Sequence, residues 1–392
     1  MKHLFKIDNN VLFIIVLLIF IAVMLVMPTG FEKVVSSDSI RAKALVTGTD
    51  NSLLNQHGIV KTGAQRLKLE VLDSEFKGRI IETHNHLIGK MEMDKVFNLG
   101  DKALVVLNLK NGDIANTTVI DHYRTNIEIY LFALFFIMVT VVAGKTGLKA
   151  MLSFIFTVLY LWKILLPAFL RGWNPILVSL ASIMILTGVI IFSIAGISNK
   201  GFSAFLGSMS GIVMTCALSL TFGKYFKIHG AVLPFSEPLL YTGFPFLNLT
   251  GIFYSGIFIA SSGVIMDVAM DIAAAMHEIK EKSPDISTGE LVKSGLEVGR
   301  AVLGTMTTTL LLAYFGGYAS MFMLFIAMGT PVMNIVNIQY VSAEIMHTLV
   351  GSFGLVTVVP FTAFMGGLIF SHRENETVSA NNEELQMAEA EV

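Results

Sequence analysis

Residues 256–278 read GIFIASSGVIMDVAMDIAAAMHE, an apolar stretch that ends in acid. At helical spacing Gly256, Ala260, Gly263, Asp267, Asp271, Ala274 and Glu278 fall on one face. The first half of that face is small, which lets a second helix approach closely. The second half is acidic, at a depth where each charge costs roughly 2.5–3.5 kcal/mol on insertion scales. Two carboxylates one turn apart in such a place point to use in ion or proton coupling, with Asp267 and Asp271 as candidates. A second reading keeps Asp267 at the interface and makes Asp271 and Glu278 the solvated start of a cytoplasmic helix.

The rest of the composition agrees with a membrane setting. Of 392 residues, 54% are apolar and only 14% charged, against about 25% charged in soluble domains. Mean hydropathy is +0.70. The net charge of −2 gives no basic surface for nucleic acid. The one cysteine, Cys216, forms no internal disulfide and no metal-type spacing. His84 and His86 flank Asn85 in a polar stretch, which reads as a solvated loop and not as a metal site. No cofactor is expected.

Apolar runs long enough to span a bilayer are Val11–Met27, Ile127–Ala143, Met151–Leu170, Pro175–Gly196, Phe202–Phe222, Thr250–Met270, Ala301–Phe325 and Ile345–Phe370. The first is read as an uncleaved span, because Met27-Pro28-Thr29-Gly30 lacks a small-residue cleavage site. Lys2, Lys6, Lys145, Lys149, Lys200, Lys280, Lys282, Lys293 and Arg300 collect on one side, which places the N-terminus in the cytoplasm. Gly316-Gly317 and Gly329-Thr330-Pro331 interrupt one stretch, leaving one overlong span, a re-entrant segment or two short helices open. The expected architecture is mostly α: a polytopic helix bundle of about eight spans, the first within 1–28 and the others over 127–370. Between them, 29–126 forms a small extracytoplasmic β-barrel or sandwich. There Ala44–Val46, Leu67–Leu72, Gly78–Glu82 and Ala103–Leu107 are strand-like, and Lys110-Asn111-Gly112-Asp113 is a hairpin turn. The acidic tail, 371–392, is expected to be disordered.

Other motifs were weighed for chemistry. Val142–Thr146 ends like a phosphate loop, but Val139 stands where a glycine is needed. An intramembrane aspartyl protease needs carboxylates on two helices, whereas Asp267 and Asp271 share one. Arg300, Gly304 and Thr308 line one face of the next apolar run, where Arg300 either snorkels or meets Asp267 or Asp271. Glu344 and His347 lie one turn apart, fit for proton relay or for an interfacial helix. Gly207 and Gly211 form a small-xxx-small contact, and Gly256, Gly263 and Gly304 are further packing candidates.

Three segments carry a resemblance. GVIMDVAMDIA (263–273) followed by Glu278, GRAVLGTMTTTL (299–310) and AEIMHTLVGS (343–352) resemble the YibE/F family of bacterial membrane proteins, over about Asn126–Phe370. The resemblance implies a multi-pass protein of the bacterial cell membrane without an assigned substrate. A weaker similarity, at Asp267, Arg300 and Thr308, is to the SecD/SecF and resistance-nodulation-division permeases.

Two functions follow as expectations. The first is a non-enzymatic, permease-like protein in the lipid bilayer, moving a small molecule or ion with proton or ion coupling. The alternative is an accessory or scaffold whose outer β domain binds a membrane-protein partner, or a homo-oligomer.

Overall fold

The computed structural model describes residues 10–32 and 38–371 with their side chains, and Asn9 and 372–390 as helix backbone. It divides into two units, Gly30–Val142 and the flanking pair Met1–Thr29 with Ala143–Val392.

The first unit is an antiparallel sheet of β1 (Ser39–Asp50), β2 (Leu54–His57), β3 (Val60–Val71), β4 (Ile80–Ile88), β5 (Lys102–Lys110) and β6 (Asp113–His122). The order is β2-β3-β1-β5-β6, with β4 paired to β3. Alternation sets the core: Ala42, Ala44 and Val46 of β1, Leu67, Leu69 and Val71 of β3, and Ala103, Val105 and Leu107 of β5 all point inward. The sheet curls, and the Thr83 hydroxyl of β4 donates to the Thr117 carbonyl of β6 at 2.6 Å. The β5–β6 turn is the expected one, with Asn111 at φ 56 and Gly112 at φ 80. Both positive values suit a type I′ hairpin.

The stretch around His84 and His86 is not a loop. It is strand β4, with Thr83, Asn85 and Leu87 turned inward and the two histidines exposed. Polar residues face the interior there because they are bonded. Buried Gln65 donates to Asn51 Oδ1 and to the Phe97 carbonyl, both at 2.8 Å, and accepts from the Phe97 amide at 3.0 Å. Asn85 Nδ2 donates to the Lys95 carbonyl at 2.6 Å.

The helices are α1 (Asn9–Val26), α2 (Thr125–Tyr160), a π-helical turn (Leu161–Leu165), α3 (Leu166–Leu170), α4 (Pro175–Ala195), α5 (Asn199–Phe226), α6 (Ser236–Tyr241), α7 (Leu249–Lys282), α8 (Thr288–Ala327), α9 (Val332–Asn337) and α10 (Gln339–Ala390). Among the described residues six helices are long and apolar enough to cross a membrane, and α1 is a shorter apolar helix. All eight expected runs are helical. Two of them fall in the 46-residue helical segment Thr125–Leu170, which is broken at Gly144 (φ 56, ψ −131). The half of α2 before that break belongs with the β unit.

The segment in doubt is also decided. Helix α8 runs unbroken through Gly316-Gly317 and ends before Gly329 (φ 64) and Pro331, and α9 adds only six residues. Where a disordered tail was expected from 371, the helix backbone of α10 continues to Ala390. Its run of Ala, Glu, Gln and Met favours helix. Residues 391–392, and the tail's side chains past Ser371, lie outside the described residues.

The bundle core lies among α5, α7, α10 and the first half of α8, around Ile212, Phe258, Ile265, Ile272, Leu355 and Val358. Gly207 and Gly211 of α5 lie against α10. A Cβ on Gly207 would overlap Thr362 Oγ1 and stand 2.9 Å from Thr362 Cα. One on Gly211 would stand 3.1 Å from the Gly354 carbonyl. Small side chains here let two helix backbones meet, which is how membrane helices gain dispersion contacts.

Candidate functional site

The acidic face of α7 is open. Helix α7 buries Ile257, Phe258, Ile265, Val268, Ala269, Ile272 and Met276, and the opposite face carries Gly263, Asp267, Asp271 and Glu278, all exposed. Among the described residues a Cβ on Gly256, Gly263 or Gly304 meets nothing within 4 Å. Arg300 and Thr308 on α8 are exposed too. Among the described residues no ion pair joins Arg300 to Asp267 or Asp271. Past Asp271 the helix carries ordinary surface pairs, Glu278 with Lys282 at 2.8 Å and His277 with Glu281 at 3.3 Å. Glu278 therefore fits the solvated-helix reading.

A different set of residues is gathered. Glu344 and His347 face the interior from the first turns of α10, with side chains only 13% and 19% exposed. Glu344 Oε2 lies 3.9 Å from His347 Nδ1. The spacing of three along the helix makes this contact geometrically easy. From α8, the Tyr314 ring covers the imidazole, with centroids 4.3 Å apart and planes at 37°. Tyr318, one turn further along α8, stands near the Glu344 carboxylate. Among the described residues three buried polar atoms of this cluster have no hydrogen-bond partner: Tyr314 Oη, Glu344 Oε1 and His347 Nε2.

Unpaired buried polar groups usually cost about 1–3 kcal/mol each, so a cluster of three marks a place that holds something else or exchanges protons. A groove of about 180 Å³ lies against it, lined by Leu311, Phe315 and Phe322 of α8 and by Val341, Glu344 and Ile345 of α10. Its apolar wall keeps the local dielectric low, which strengthens any charge interaction inside. The cluster supplies two phenols that donate, an imidazole that does either, and a carboxyl group that exchanges a proton. Among the described residues no group of three or more His, Cys, Asp and Glu has the arrangement of a metal site.

The tyrosines escaped the sequence reading. Their signal was present: Tyr314 and Tyr318 stand one turn apart in an apolar run, on either side of Gly316-Gly317. The glycines drew attention to a break that does not occur.

Long apolar helices, a separate antiparallel sheet and a titratable cluster between two of the helices define a membrane protein of multi-pass character with an appended β unit. The YibE/F-like protein family matches residues 131–372, more than half of the chain, and the chain belongs to that family. No curated protein and no solved structure gives a match. The likeness to SecD/SecF and resistance-nodulation-division permeases gains no support from these comparisons.

Proposed function

We propose that this protein is a permease-like carrier of the bacterial cell membrane, moving a small solute or ion in exchange for protons. In this reading the N-terminus is cytoplasmic, eight helical segments cross the bilayer and the β unit lies outside. The proton site is Glu344 with His347, attended by Tyr314 and Tyr318. The observation that carries the reading is the set of three partnerless polar atoms between α8 and α10. A carboxyl group there alternates between a neutral form, tolerated by the apolar wall, and an anion held by Tyr318 and His347. Each change of protonation alters the attraction between α8 and α10, which is the step a carrier needs to couple protons to movement.

The test is proton flux into sealed vesicles containing the purified chain, followed with a trapped pH dye under an imposed gradient. Glu344→Gln should abolish protein-dependent flux while leaving insertion unchanged. Flux equal to the unaltered protein would refute this assignment.

The scaffold reading has one observation in its favour, the uncovered face with Gly256, Gly263 and Asp267 on α7. A partner helix would cover it. Gly263→Leu on that face separates the readings, because a scaffold then loses its partner whereas a carrier keeps its flux.

A further inference from the structure

A larger apolar cavity than the one at the titratable cluster lies elsewhere in the helical unit. It is a groove of about 520 Å³ between α1, the end of α2 with its π turn, and α4, lined by Phe13, Leu17, Phe20, Phe156, Ile164 and Ile185. The wall has almost no polar surface. Its one hydroxyl, on Tyr160, lies 3.4 Å from Ser182 Oγ. An apolar wall around a groove of this size suits an acyl chain, which gains by leaving water.

One end of the groove is basic and aromatic. Ile164 and Met24 line it. Beside Ile164, Lys163 Nζ donates to the Met27 carbonyl at 2.9 Å, and Arg171 Nη2 donates to the Thr29 carbonyl at 3.2 Å. The two cations are thus gathered on carbonyls two residues apart, just past the end of α1. Each keeps donors to spare, since an ammonium has three and a guanidinium five. Trp162 and Trp173 stand next to them in sequence and are 63% and 57% exposed, as expected of rings at headgroup level. Lys163 and Ile164 both sit in the π turn Leu161–Leu165. That distortion is rare and recurs at functional places in helices.

We propose that this groove binds one phospholipid with an anionic headgroup, its acyl chain lying between α1 and α4 and its phosphate meeting Lys163 and Arg171. The shape of the cavity selects a chain, and the paired cations at one end select the charge. A protein helix would need the groove to be long and flat, and would leave the two cations facing its backbone.

The chain contains only two tryptophans, Trp162 and Trp173, so its tryptophan fluorescence reports on this place alone. The full-length protein is reconstituted in bilayers with increasing fractions of phosphatidylglycerol or of phosphatidylcholine, each carrying brominated acyl chains that quench indole. Phosphatidylglycerol should quench at a fraction lower by roughly thirtyfold, the combined effect of two cations near an anionic lipid. The double substitution Lys163→Gln with Arg171→Gln should erase that difference, and millimolar inorganic phosphate should leave quenching unchanged. Val189→Phe, which fills the groove from α4, should weaken quenching by both lipids. Equal quenching of the unaltered protein by the two lipids overturns the proposal without any variant. So does no quenching by either, the result if a second copy seals the groove, or reversal by free phosphate, which would make the cations a plain anion site.

Discussion

Two titratable pairs sit on neighbouring helices of one bundle, and only one of them is enclosed. Asp267 and Asp271 on α7, four residues apart, look outward. Glu344 and His347 on α10, three residues apart, look inward at two tyrosines. By spacing and residue type the acidic pair looked the better candidate, because carboxylates in an apolar run are costly. The enclosed pair is the better built, because its neighbours include an apolar wall and partnerless polar atoms. Cost in sequence and construction in space are different observations, and the second bears more directly on chemistry.

The comparison breaks most sharply on proton flux. Glu344→Gln should lower it by at least about tenfold, in keeping with removal of a proton-transferring group, while Asp267→Asn should change it by less than about twofold. The reverse order in vesicle assays would return the site to α7. A smaller but still clear contrast concerns glycine. Gly207→Ala forces α5 away from Thr362 of α10 and should destabilise the bundle by about 1–3 kcal/mol. Gly263→Ala meets nothing within 4 Å among the described residues and should be neutral or gain up to about 1 kcal/mol from helix propensity. Thermal unfolding in detergent compares the two. If Gly263→Leu leaves that unfolding unchanged yet releases a co-purifying membrane protein, the scaffold reading gains.

Tyr314→Phe sharpens the meaning of the enclosed pair. The hydroxyl has no protein partner, so as mere packing its loss should hold or raise stability, by about 1 kcal/mol. As part of a relay its loss should slow proton flux severalfold with stability unchanged. Parallel melting and flux measurements on the one variant distinguish these outcomes.

The smallest effect lies on the surface of the β unit, where Arg79 is hydrogen-bonded to Asp113 and holds that carboxyl below the usual aspartate value of 3.8. A lowered folded value means the pair's contribution is whole above the usual value and is lost as pH falls through the lower one. Amide exchange of the β5–β6 hairpin should therefore quicken as pH drops below about 4, after correction for intrinsic rates. Asp113→Asn should flatten that dependence. The change should be slight, because exposed pairs are screened by water.

Much of this was legible beforehand, in particular places. The turn at Asn111-Gly112 was readable because few residues tolerate positive φ twice in succession. The Gly207 and Gly211 contact was readable because small residues spaced by four in an apolar run have packing as their main use. Strand β4 was legible only as far as Glu82, because beyond it Thr83 and Asn85 point inward against the usual alternation, and their bonds to Thr117 and Lys95 are invisible without the fold. The continuity of α8 through Gly316-Gly317 was not, because helix-breaking tendencies are weak beside the need to bond every backbone group in lipid.

From residues alone came the apolar runs, the alternation of a small sheet, the family and the sets of side chains that share a helical face. Those properties depend on local periodicity and solvent preference, which each segment carries within itself. What lies opposite each face was decided only by assembly: α7 turns its acids outward and α10 turns Glu344 and His347 toward Tyr314 and Tyr318. In a bilayer the lipid side and the protein side of a helix are equally apolar, so hydrophobicity does not choose between them. Close packing and the pairing of polar groups make that choice.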